Sequence, residues 1–149
     1  RGLGDVYKRQ QEMEDILNKK SGVYGMSRGV SVDFRDIENE ALAGGTHAQM
    51  ALDIYHYLTA SYVAKCAVAM GGIDVLTFTA GVGEKGPISR KAICDQLEFF
   101  GVKIDDEKNK IRGEEVEISA EDSKVKVYVV PTNEELMIAR ETKNIVDKN

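Results

Sequence analysis

Three short segments carry the residues best suited to chemistry. The first is Phe78-Thr79-Ala80-Gly81-Val82-Gly83-Glu84-Lys85-Gly86-Pro87. It follows an apolar, β-rich run, Ile73 to Thr79, and precedes a helical pattern that opens at Pro87, a residue well suited to the first helical position. Glycines at the carboxyl end of a strand let backbone come close to a bound nucleotide, and the following helix offers unpaired N–H donors and a positive dipole end. Ligands of open α/β sheets gather at that edge. A plain strand-to-helix turn uses the same residues, so both readings stay open for a bare Gly-x-Gly. The segment lacks the third glycine of the dinucleotide fingerprint and the Gly-Lys-Ser/Thr ending of a P-loop.

The second segment, Pro131-Thr132-Asn133-Glu134-Glu135-Leu136, again ends a strand and begins a helix. Acids in a first helical turn interact favourably with the dipole, and capping accounts for most of them. A carboxylate over the sheet edge can also face a phosphate-bound Mg²⁺, which takes only one or two protein carboxylates besides water and phosphate. In the third segment, Ser31-Val32-Asp33-Phe34-Arg35-Asp36, an Arg stands beside a capping Asp. Such a pair is commonly a surface ion pair of small value, though the planar fork of an Arg also suits stacking on a nucleotide. His47 and His56 are nine apart, about two and a half helical turns, too far to share one metal. They read as solvated or core-edge side chains.

The elements that must position these segments follow from the apolar spacing. Glu12 to Lys20 predicts a short helix with Met13, Ile16 and Leu17 on one face, ended by Ser21-Gly22. A Gly- and Ser-rich loop, Val23 to Asp33, leads to a helix capped by Asp33 and stopped by Gly44-Gly45. Thr46 is expected to cap a long helix to Met70, whose apolar residues advance by three or four. A strand over Ile73 to Thr79, a loop over Ala80 to Gly86 and a helix from Pro87 through Ser89 to Phe100, closed by Gly101, come next. Val116 to Ile118 is a weak strand. Lys124 to Pro131 alternates and then turns wholly apolar, as a strand entering a sheet does. The last helix spans Glu134 to Asp147, with Leu136, Ile138, Ala139, Ile145 and Val146 expected to face inward. Strands alternating with helices predict an α/β fold with mainly parallel pairing. Two confident strands are too few to cover four or five helices, so the sheet is expected to be incomplete and the chain truncated.

Composition excludes several classes. The 149 residues are 42% hydrophobic and 30% charged, ordinary values for a globular protein. A net charge of −5 argues against nonspecific nucleic-acid or anionic-membrane binding. No apolar run approaches the roughly 18 residues that span a bilayer. Cys66 and Cys94 lack metal-ligand spacing and read as buried small hydrophobes in a reduced, cytosolic protein. Arg1 to Gln10 shows no clear period, and residues 1–11 read as a non-native or unassigned leader.

Taken together, SVDFRDI (31–37), AQMALDIY (48–55), MGGIDVLTFTAGVGE (70–84) and VPTNEELMIAR (130–140) resemble the acetokinase family, within the acetate and sugar kinase, Hsp70 and actin superfamily. The likeness runs from about Glu12 to the C-terminus and corresponds to the last third or so of the family's length. It implies a partial actin-like, ribonuclease H-like α/β domain from residue 12 to 149, the C-terminal nucleotide-binding part of an acetate kinase. It further implies Mg²⁺-dependent phosphoryl transfer between ATP/ADP and acetate, in a cytoplasmic homodimer that binds neither nucleic acid nor membrane; a propionate or butyrate kinase, or a non-catalytic actin-like nucleotide-binding module, are the alternatives. Carried over by motif, Asp33, Phe34 and Arg35 lie on the adenine and ribose side of ATP. Gly81, Val82, Gly83, Glu84 and Lys85 form the nucleotide loop, and Glu134 contacts Mg²⁺. The family usually has Asn where Lys85 stands, which leaves a side-chain contact there open, and a Gly/Ser loop where Arg28 stands. The phosphoryl-stabilising arginines and histidine, the catalytic aspartate and the acyl pocket lie upstream in the family. The chain alone is therefore expected to have no catalytic residue and no activity.

Overall fold

A computed structural model describes residues 3–148. They divide into two compact units, one up to Tyr62 and one from Val63. The first holds helices α1 (Leu3–Lys19), α2 (Gly22–Met26), α3 (Phe34–Leu42) and most of α4 (Thr46–Met70). The second holds strands β1 (Val75–Phe78), β2 (Val116–Glu117) and β3 (Lys126–Val129) with helices α5 (Ala80–Lys85), α6 (Pro87–Asp95) and α7 (Glu134–Val146).

In the first unit the predicted first helix starts earlier, at Leu3, and so reaches into the residues read as a leader. Its face of Met13, Ile16 and Leu17 is exposed. The expected loop from Val23 opens with the single-turn helix α2 instead. Asp33 caps α3 as expected, its carboxylate accepting from the Arg35 N–H at 2.9 Å. Ile37, Ala48 and Leu52 form the core here, with Val23, Phe34 and Ala41 packed against it. The long helix runs over the predicted span, but Thr46 is its first helical residue rather than its cap. The Gly45 carbonyl accepts the first bond, from Gln49 N–H at 3.0 Å. Cys66 is exposed, contrary to expectation. The covered face of that helix end carries Ala60 and Ala67, seven apart, and Cys66 lies a turn of about 100° away from Ala67.

The sheet of the second unit has the order β1-β3-β2. β1 and β3 are parallel, from Val75 opposite Lys126 to Phe78 opposite Val129. β2, the weak strand expected near Val116, is antiparallel to β3 over two residue pairs, beside the four parallel pairs of β1 with β3. The alternation in Lys124 to Val130 suits the middle strand: Val125, Val127 and Val129 are buried while Lys126 points to solvent. Phe78, Ile93, Cys94, Leu97, Val102 and Ile118 are buried as well.

Two further expectations shift. Residues 80–85, read as a loop, close a short helix, because only Gly81 and Gly83 interrupt otherwise helix-tolerant side chains. The helix from Pro87 ends at Asp95, and a 3₁₀ turn over Glu98–Phe100 finishes the segment. Gly101 ends that turn with φ +88°, where a side chain would be strained and a Cβ would sit 2.8 Å from the Lys124 side chain.

The inward face predicted for α7 is the largest correction. Leu136, Ile138, Ala139, Ile145 and Val146 all lie on the surface, Ile138 being 66% exposed. A sheet with strands of four, two and four residues is too small to back a 13-residue helix as well as α6.

Candidate functional site

The register of β1 on β3 sets the carboxyl ends of two parallel strands side by side, and Val130 N–H donates to the Phe78 carbonyl at 2.9 Å. Thr79 therefore leaves β1 next to Pro131 and Thr132 leaving β3. Thr132 is the junction. Its N–H and its hydroxyl both donate to Glu84 Oε1, at 2.7 and 2.8 Å. These two bonds, the backbone one first, hold the Glu84 carboxyl below the ordinary glutamate range. An ionised carboxylate only accepts, so the Thr132 hydroxyl hydrogen is committed to Glu84. Thr132 Oγ1 must then accept from the Thr79 hydroxyl at 3.0 Å and from Ala80 N–H at 3.2 Å. Ala80 has φ +57°, a left-handed backbone that non-glycine residues rarely adopt, and this N–H bond helps to hold it there.

A second anchor fastens the other end of α5. Arg90 is fully buried, and all five of its N–H donors are used. Nε donates to Asn109 Oδ1 at 2.8 Å, and Nη1 to the carbonyls of Gly83 and Glu84 at 2.8 and 3.0 Å. Nη2 donates to the carbonyls of Asn109 and Ile111 at 2.6 and 2.8 Å. No carboxylate ion-pairs with it among the described residues, and burial lowers its pKa. The role of Asn109 is completed by its amide donating to the Pro87 carbonyl at 2.9 Å.

Between these anchors, the outer side of the turn is open. A Cβ built on Gly81 meets nothing within 4 Å, and Gly81 is not among the positive-φ glycines. Neither local packing nor backbone conformation requires glycine there. Gly83 differs, since a Cβ would press on the Phe78 carbonyl carbon at 3.3 Å. Val82 is half-buried and Lys85 exposed. Glu134, the first residue of α7, is exposed and has no side-chain partner among the described residues. Its neighbour Asn133 does the capping, accepting from Leu136 N–H at 3.0 Å. No group of three or more His, Cys, Asp and Glu among the described residues could hold a metal by itself. One unengaged carboxylate fits a Mg²⁺ held mostly by phosphates and water.

The remaining predicted residues, Asp33, Phe34 and Arg35, belong to the first unit. Arg35 closes back on its neighbour: Nε donates to Asp33 Oδ1 at 3.1 Å and Nη2 to Oδ2 at 2.6 Å. These bonds and the Arg35 N–H lower the Asp33 carboxyl to about 2. Phe34 meets Tyr55 edge-on, 4.9 Å between ring centres, and packs on the core, so its ring has a structural task. His56 is buried, which lowers its pKa, and His47 is half-buried. Thr132 and Arg90 are the residues whose roles escape sequence reasoning. Arg90 left one signal: it stands beside Ser89 and three to four residues before Ile93 and Cys94, on the covered face of its helix.

Paired parallel strands carrying an anchored turn and an acidic helix start at their carboxyl ends define a partial α/β domain of the actin-like ATPase fold. The chain belongs to the acetokinase family, whose sequence model matches residues 6–140. An acetate kinase of Thermotoga petrophila is 61% identical over 140 residues, 93% of this chain and 35% of that protein. Among solved structures, the acetate kinase of Porphyromonas gingivalis aligns with a TM-score of 0.82 at 42% identity, covering 98% of this chain and 38% of that one. A propionate kinase of Francisella tularensis aligns with a TM-score of 0.81 at 36% identity, over 90% of this chain and 34% of that one. The chain thus spans about a third of the length of the curated relatives it matches. No helix among the described residues is long and apolar enough to cross a membrane.

Proposed function

We propose that the chain supplies the nucleotide side of an acetate kinase, which interconverts acetate and ATP with acetyl phosphate and ADP. The observation that carries this reading is the turn at Gly81, pinned from beneath by Thr132 and Arg90 yet open above, beside an unengaged Glu134. Gly81, Val82 and Gly83 offer backbone to the nucleotide, with Glu84 and Lys85 completing the turn. Asp33, Phe34 and Arg35 serve the adenine and ribose side. Glu134 would hold Mg²⁺ through its carboxylate, and the ion would supply charge neutralisation at the phosphates.

Phosphoryl transfer depends on positioned cations around the transferred group. Arg90 is unavailable for that, with every donor spent on the protein's own acceptors, and the chain by itself is expected to make no acetyl phosphate. Acetate is favoured over propionate because the more similar relative, at 61% identity, is an acetate kinase, while the propionate kinase stands at 36%. The broad exposed apolar surface of α4 and α7 supports a homodimer of the parent enzyme.

Calorimetric titration of the chain with MgADP tests the site. Gly81→Ala is expected to weaken MgADP binding by about tenfold and to leave the melting temperature unchanged or slightly higher, since Ala outranks Gly in a helix by about 1 kcal/mol. Unchanged affinity would remove Gly81 from the site. Formation of acetyl phosphate by the chain alone would refute its inactivity.

A further inference from the structure

Glu84 lies within the nucleotide turn by motif, yet its carboxylate is buried, 9% exposed and accepting twice from Thr132. We propose that Glu84 and Thr132 form a positioning clasp that sets Glu134 and the Gly81 turn in one fixed relation, so that a Mg²⁺–nucleotide complex meets both at once. The inference rests on the nucleotide reading given above and assigns the two residues no contact with ligand.

Three observations converge on this. The clasp joins residues 48 apart, closing the loop after β1 onto the loop after β3, and it adds to the strand pairing and to the bonds that Thr79 and Ala80 make with Thr132 Oγ1. Thr132 is two residues before Glu134, and the backbone N–H that Glu84 holds belongs to the same turn as the Asn133 cap. The hydroxyl of Thr132 also receives Ala80 N–H, the donor of the residue held in the left-handed conformation just before Gly81. One hydroxyl thus orients both sides: it donates to the acid that fixes its own backbone and accepts from the strained residue of the facing turn. A purely structural role explains the bonds to Glu84. It does not explain why the strain at Ala80 is placed beside Gly81, which, alone among the described glycines, neither packing nor φ demands.

Thr132→Val keeps the shape and the backbone N–H bond to Glu84 while deleting the hydroxyl, and Thr132→Ser restores the hydroxyl alone. Binding of ADP is measured by calorimetry for each chain, with and without Mg²⁺, at a temperature where circular dichroism shows all of them folded. Parent and Ser chains are expected to bind MgADP alike within about twofold, and the Val chain about tenfold more weakly. The loss should fall mainly on the Mg²⁺-dependent part, because Glu134 is what the clasp positions, so ADP without Mg²⁺ should differ less than about threefold. Equal MgADP affinity in parent and Val chains overturns the clasp while leaving the nucleotide reading standing. A Ser chain as weak as the Val chain also overturns it, since the hydroxyl would then not be the agent. Absence of saturable MgADP binding by the parent chain overturns the nucleotide reading, and the clasp with it.

Discussion

Replacing Arg90 by Met is expected to cost about 4 kcal/mol of stability in the second unit. Methionine fills most of the same channel, so the loss comes from acceptors rather than volume. Five acceptors lose a charged donor: Asn109 Oδ1 and the carbonyls of Gly83, Glu84, Asn109 and Ile111. Glu84 keeps a second donor, Gly113 N–H at 3.2 Å, which leaves four acceptors to be satisfied elsewhere. An orphaned buried acceptor costs about 1–3 kcal/mol, for a sum of about 4–12 kcal/mol. Release of the guanidinium's own desolvation penalty and entry of water bring this to the lower end. Urea transitions of a chain with two compact units need not be two-state, so amide exchange is the better assay. Val127 N–H is well placed to report, being buried in β3 and donated to Ser119 Oγ at 2.7 Å. About 4 kcal/mol is roughly a thousandfold faster exchange at that amide. Arg90→Lys should recover less than half of the loss, because one ammonium presents three donors and no fork. Acceleration below about tenfold in the Met variant would show that the guanidinium is not the anchor described.

The two thiols should separate cleanly. Cys66 is exposed, whereas burial pushes the Cys94 thiol up to about 12, so a disulfide reagent at mildly alkaline pH should modify one thiol in the folded chain and the second only after denaturation. Persistence of a fast thiol in Cys66→Ser would contradict this. Acid titration should show the Asp33 carboxyl with a midpoint near 2, moving up toward the ordinary value of about 3.9 in Arg35→Met. Because the folded value is the lower one, the stability it confers is present above about pH 3.9 and fades as pH falls toward 2. A carbon-13 resonance titrating at the ordinary value in the native chain would sink the account.

Local chemistry was readable where one residue type answers one geometric need. Pro87 opens its helix, Gly101 takes the left-handed turn, Asp33 caps α3, and the valines of 125 to 129 alternate into the sheet. Reading failed where side chains act across distance. Glycines at 81 and 83 suggest a loop, but the closed helix there is held from outside by Thr132 and Arg90, neither of which belongs to the segment. Arg90 is disguised by its type, since an arginine reads as solvent-facing until its five acceptors are known. The apolar stripe of α7 led to an inward face that the structure does not show, because burial needs a partner surface and periodicity carries no information about whether one is present. The placement of Asp33 to Arg35 and Glu134 as site residues came from motif alone and stands as a proposal to be tested by nucleotide binding.

The two anchors of α5 differ in how they can be undone. The Thr132 side relies on a carboxylate and is a proton-labile latch: once Glu84 is protonated, its charge-assisted grip on Thr132 is lost. The Arg90 side relies on a guanidinium, which stays charged at any pH a protein survives. Acid therefore weakens the front of the turn, where Glu84 grips Thr132, and leaves untouched the back, where Arg90 holds the carbonyls of Gly83 and Glu84.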